Sequence, residues 1–180
     1  MRKLRKPLMA CVALIGLMAT SLAVAGPAQA YTNADVSWKM GWINTGTCAV
    51  LSGSDYTGYS SGDYCVLGGS SFKKDSGGMA FKAEAFTNGV RRAKFEFHPH
   101  GEHLKVCDTS NDGDSIHAVL KYLVGSKWEY KPLASPPGTS AEYECTDKNY
   151  SFDEGHKLMV EMYDNTSMTD WMASAADMRA

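Results

Sequence analysis

The strongest constraint on the fold is a hairpin in the middle of the chain. Met79, Phe81, Ala83 and Ala85 alternate with Lys82 and Glu84, and after Asn88-Gly89 the chain returns through Ala93, Phe95 and Phe97. A period of two puts the apolar set on one face of a strand, and Asn-Gly supplies the positive φ angles of a type I′ turn. Pro99 to Gly101 turns the chain again, and Leu104 with Val106 marks a third strand ending at Cys107. Ile116, Ala118, Leu120, Tyr122 and Val124 alternate without interruption, and Gly125-Ser126 turns into Trp128 and Tyr130. Ser135-Pro136-Pro137-Gly138 reads as a loop, followed by short strands around Ala141 to Cys145 and Leu158 to Tyr163. Only Asp170 to Met178 reads as helical, and briefly. Short strands with turns roughly every eight to twelve residues predict an all-β chain, a small disulfide-stabilised antiparallel β-sandwich of immunoglobulin-like size.

Residues 1–30 read as a signal peptide. Arg2, Lys3, Arg5 and Lys6 form a basic head, Leu8 to Ala25 is apolar, and Ala28-Gln29-Ala30 is a small-x-small cleavage site. Cleavage would make Tyr31 the first mature residue and the product secreted and extracellular. It also moves the formal charge from −2 to −6, because four cations leave and no acid does. An acidic exported chain repels phosphate backbones, so nucleic acid is not an expected partner. No other stretch approaches the ~18 apolar residues of a membrane span, so no membrane partner is expected either. Hydrophobic residues at 44% and charged residues at 21% place the remainder among globular chains.

Cys11 falls within the signal, which leaves Cys48, Cys65, Cys107 and Cys145. An even count in an exported chain reads as two disulfides, for which three connectivities are formally possible. The favoured pairing is Cys48 with Cys65, closing a short polar loop, and Cys107 with Cys145, near the ends of predicted strands.

The mature chain divides by composition near Gly78. Residues 31–78 form an extended lead rich in Gly, Ser, Thr and Tyr with little aliphatic material for a core of its own, and residues 79–180 carry the sandwich pattern. Within the lead, Val36, Trp38, Met40 and Trp42 alternate with Ser37, Lys39 and Gly41. This is a strand with one apolar face. It is either the first strand of the chain's own core or a strand that completes another subunit's sheet.

No constellation of catalytic residues stands out, and no cofactor is implied. His98, His100 and His103 could converge at a hairpin end and hold zinc or copper, with Cys107 beyond. Asp108 to Asp114 resembles the opening of a calcium loop, but its twelfth position is Val119 where an EF-hand needs Glu, so an Asx-type turn explains the same residues. Gly58-Tyr59-Ser60-Ser61-Gly62 has the letters of a Gly-x-Ser-x-Gly elbow, but no His and Asp can be matched to it by sequence.

The runs Ala93-Lys94-Phe95-Glu96-Phe97, Gly101 to Asp108 and Asp112-Gly113-Asp114-Ser115-Ile116 resemble small exported actinobacterial proteins, largely uncharacterised. That resemblance implies a small β-sandwich. In layout, a disulfide-bearing exported domain behind an apolar N-terminal strand also resembles the adaptor subunit of umbrella toxin particles. This implies binding to other secreted protein subunits through the N-terminal segment. The expectation is therefore a secreted, non-enzymatic protein-binding module anchored by Val36, Trp38, Met40 and Trp42. The alternatives are a secreted protease inhibitor presenting the Cys48 to Cys65 loop, or a metal-dependent hydrolase using the histidine cluster.

Overall fold

The structure is a computed structural model that describes residues 33–110, 115–137 and 143–180. The expected signal peptide, Tyr31, and residues 111–114 of the expected calcium loop lie outside the described residues.

After a single 3₁₀ turn at Asn33–Asp35 the described residues form strands β1 (Val36–Asn44), β2 (Gly58–Ser61), β3 (Tyr64–Leu67), β4 (Ser70–Lys73), β5 (Met79–Thr87) and β6 (Val90–His98). There follow β7 (His103–Asp108), β8 (His117–Val124), β9 (Lys127–Tyr130), β10 (Glu144–Asn149), β11 (Lys157–Tyr163) and β12 (Trp171–Arg179). All named pairings are antiparallel. The large sheet runs β10-β7-β6-β5-β12-β11-β8-β9, with β1 also paired to β5, and β2-β3-β4 form a second, small sheet. The all-β, antiparallel reading with two disulfides is what the chain adopts.

The hairpin at Asn88-Gly89 forms as its sequence dictates, with φ of 52° and 77° at the two turn residues. It aligns Phe81 with Phe97, Ala83 with Phe95 and Ala85 with Ala93. The large sheet curls so that this face meets Ile116, Ala118 and Leu120 around β8, Leu158, Val160 and Met162 of β11, and Met172, Ala175 and Met178 of β12 in one buried core. The two layers of a sandwich are thus made largely by one sheet folding over itself.

β12 corrects the expectation of a short helix over Asp170 to Met178. The register of β11 against β12 shifts between Leu158 and Val160 and again between Met162 and Tyr163, each time with an extra residue on β12. Asp177 takes a positive φ of 66° at one of these bulges. Bulges stretch the spacing of inward positions, so Met172, Ala175 and Met178 recur every third residue and imitate helical periodicity while lying in a strand.

The compositional boundary at Gly78 is not a structural one. β1 pairs with β5 along its full length, from Val36 opposite Thr87 to Asn44 opposite Met79. The lead also contributes a second buried cluster, Ile43, Cys48, Cys65, Leu67 and Phe72, which is completed by Ala80 from across the boundary. Here the disulfide sulfurs supply bulk that aliphatic residues would otherwise provide. Gly78 itself is required by close packing, since a Cβ there would lie 2.6 Å from Pro99 Cβ and 2.7 Å from Thr45 Oγ1. Both disulfides join the favoured partners, Cys48 with Cys65 and Cys107 with Cys145. The second links directly opposed residues of β7 and β10.

The small sheet lies over the other face of β5 and β6, and that face is charged. Lys82 and Glu84 on β5, and Lys94 and Glu96 on β6, are withdrawn from solvent with few exceptions along their side chains. Each finds partners. Lys82 Nζ stands 3.5 Å from Glu84 Oε1, donates to the Gly68 carbonyl at 2.5 Å and lies 4.7 Å from the Tyr56 ring centroid. Glu84 accepts from Arg91 at 2.7 Å and from the Tyr56 hydroxyl at 2.9 Å. Glu96 accepts from Ser70 Oγ and from Lys94 Nζ, the latter at 2.9 Å. Burial by itself would raise the Glu96 carboxyl, but His98, Ser70 and Lys94 around it outweigh burial and hold it well below the usual carboxylate range. Glu84 is lowered in the same way, burial being overcome by Arg91, Tyr56 and Lys82.

Two outcomes follow for stability. Glu96→Ala leaves Lys94 buried without its counter-charge and should destabilise the fold by about 3–5 kcal/mol, measured by urea denaturation at neutral pH. Because both carboxyls titrate lower in the folded than in the unfolded chain, their contribution is complete above the ordinary glutamate value of about 4.3 and is lost as pH falls through the lower folded values. The urea midpoint should therefore drop on acidification below about pH 4, less steeply in Glu96→Gln. An acid dependence identical in the two proteins would remove Glu96 from this account.

Candidate binding groove

The four apolar residues of β1 lie within the chain's own sheet. Val36, Trp38, Met40 and Trp42 are half-buried against the main core. Trp38 packs on Phe95 at a centroid distance of 6.0 Å and Trp42 on Phe81 at 5.4 Å. The Trp42 indole Nε1 also donates to the Ala176 carbonyl at 2.7 Å. The outer edge of β1 is strapped over its C-terminal half. Asp55 N donates to Met40 O at 2.7 Å, Leu51 N to Trp42 O at 3.0 Å, and Trp42 N to Ser54 Oγ at 3.0 Å. In an antiparallel strand, alternate residues point their backbone groups the same way. Val36 and Trp38 therefore direct theirs outward, beyond the strap.

The three histidines do not converge. His98 and His103 face each other across the β6–β7 ladder and stack, with centroids 4.5 Å apart and an interplanar angle of 14°. Phe72 packs against His98 at 4.7 Å, and His103 Nδ1 lies 2.7 Å from Asp147 Oδ1. His100 sits exposed in the intervening turn, and Cys107 is held in its disulfide. Among the described residues no group of three or more His, Cys, Asp or Glu is placed to hold a metal ion. At the start of the expected calcium loop, Asp108 Oδ1 accepts from Ser110 N at 3.0 Å, which is the Asx-turn contact.

A groove of about 600 Å³ opens on the outer face of β8, β9 and β11. Along these strands the even residues of β8 and β11 fill the core, so Val119, Lys121, Glu161 and Tyr163 are turned to the other face. Pairing of Lys121 with Tyr130 and of Leu123 with Trp128 brings the β9 aromatics to the same side. Lys131, Pro132 and Leu133 form one wall, and Ser167 with Met168 the other. Tyr130 is 70% exposed and Met168 47%. The floor is an ordered polar set: Lys121 Nζ meets Glu161 Oε1 at 2.5 Å, and the Tyr163 hydroxyl donates to Glu161 Oε2 at 2.7 Å. Burial, reinforced by the bond to Glu161, pushes the Tyr163 phenol up to about 12, so it remains a donor throughout the physiological range.

These residues escape a sequence reading that looks for reactive side chains. Their only trace is positional, since Trp128 and Tyr130 are aromatics on a strand exposed along its whole length, and Lys121 and Glu161 occupy the outward phase of otherwise apolar strands.

Glu161→Gln removes the charge beside the phenol but not its burial. The Tyr163 titration, followed by ultraviolet absorbance and identified by its loss in Tyr163→Phe, should move down from about 12 while staying above the ordinary tyrosine value. No movement would mean that Glu161 does not set the phenol. No protein-family model, curated protein or solved structure matches this chain.

Proposed function

We propose that this chain is an exported, non-enzymatic binding module whose recognition surface is the groove on the outer face of β8, β9 and β11. The observation that carries this reading is the combination of an open concavity with exposed large side chains beside it. Tyr130 and Met168, both lining it and largely exposed, offer contact area to a ligand. The floor groups are already bonded to one another, which suits them to holding a ligand in place. Export is supported by the basic and apolar leader and by two disulfides, which persist in oxidising compartments.

A second surface is favoured by one observation on β1. The strap over residues 51–55 ends before Val36 and Trp38, so the N-terminal half of that edge can add a strand from another secreted protein. An adaptor role between exported subunits, which the resemblance in layout implies, would use this edge.

The two surfaces separate experimentally. In pull-downs from culture supernatant, Tyr130→Ala combined with Met168→Ala should reduce capture of groove ligands by about tenfold or more. Undiminished capture would refute the groove. Val36→Pro removes only an outward N–H, which an edge strand tolerates, and should abolish recovery of a strand-adding partner while leaving thermal stability nearly unchanged. Full recovery of that partner would refute the edge.

A further inference from the structure

Building on the groove reading above, we infer that the groove takes a short, uncharged oligosaccharide, with one sugar ring against Tyr130 and its hydroxyls bridging Lys121 and Glu161. The first support is charge balance. Lys121 is neutralised by Glu161 at 2.5 Å, and Lys131 directs its ammonium to the Ser151 carbonyl at 3.1 Å and over the rings of Tyr122 and Phe152 at 4.9 and 4.6 Å. An anionic ligand would meet the Glu161 carboxylate and a cationic one the Lys121 ammonium. An uncharged ligand meets neither repulsion.

The second support is the pairing of donor and acceptor. A hydroxyl both gives and receives a hydrogen bond, and adjacent hydroxyls can accept from Lys121 while donating to Glu161, each bond strengthened by the charged partner. The Tyr163 hydroxyl fixes the second Glu161 oxygen at 2.7 Å, so the carboxylate is oriented before any ligand arrives. The third support is shape. Tyr130 offers an exposed ring for the C–H face of a pyranose, and Pro132, Leu133 and Met168 line the rest with apolar surface. The volume of about 600 Å³ lies within the range of pockets that bury small organic ligands. No bond is made or broken in this role.

The test uses the chain without its leader and isothermal titration with cellotriose, maltotriose and triacetylchitotriose, alongside trigalacturonate and deacetylated chitotriose as acidic and basic counterparts. At least one neutral trisaccharide should bind saturably, with each charged counterpart weaker by about tenfold or more. Tyr130→Ala should weaken that binding by a similar factor at unchanged thermal midpoint, since the side chain is mostly in solvent. Glu161→Gln frees the Lys121 charge and should shift preference toward trigalacturonate. Absence of saturable binding by every neutral trisaccharide up to millimolar concentration overturns the inference, as does tighter binding of a charged counterpart. A protein ligand lost in Tyr130→Ala, with no saccharide bound, overturns the sugar and leaves the groove as the binding surface. Saccharide binding unaffected by both substitutions overturns the groove itself.

Discussion

The fold depends on burying a charged face. β5 and β6 are covered on one side by the aliphatic and aromatic core and on the other by the small sheet, so Lys82, Glu84, Lys94 and Glu96 have nowhere to reach water freely. Isolated, any of these charges would cost several kcal/mol to bury. Paired with one another and with Tyr56, Ser70, Arg91 and the Gly68 carbonyl, they become the adhesive between layers. Tyr56, Gly68 and Ser70 come from the lead segment, which makes that segment part of the domain. Gly68 shows how tight the fit is: it holds a positive φ of 54°, and a Cβ there would stand inside contact distance of the Tyr56 ring.

This arrangement also explains which parts of the molecule were legible in the sequence. Hairpins with period-two alternation and a strong turn signal were readable because their cause is local: Asn88-Gly89 sets the turn and the phase of Phe81 and Phe95 sets the core. The disulfide pairing was readable from loop length and strand ends. The lead was harder, because its core borrows from a distance. Its Tyr56 and Ser70 resemble loop residues until their carboxylate partners on β5 and β6 are brought above them. β12 was misleading for a different reason, since two bulges convert a strand's spacing into that of a helix.

The histidines and the groove illustrate the same limit from opposite sides. His98, His100 and His103 are close in sequence, yet a strand pair and its turn distribute them between a stacked couple and an exposed tip. Lys121, Tyr130 and Glu161 are scattered over forty positions, and three adjacent strands assemble them on one surface. Proximity in sequence carried little information about either set. Strand phase carried more, because which face a side chain occupies is fixed once the register is known.

The meeting of β5 with β12 has a mechanical consequence. The ladder there is a single residue pair, Arg179 with Met79, whereas the neighbouring β5–β6 and β11–β12 ladders run nearly the length of their strands. Along that line the two halves of the curled sheet are joined less by backbone than by a side chain, the Trp42 indole reaching the Ala176 carbonyl. Mechanically, continuity across that line rests on packed side chains: Trp42 from β1, and Met172, Ala175 and Met178 of β12 set into the common core.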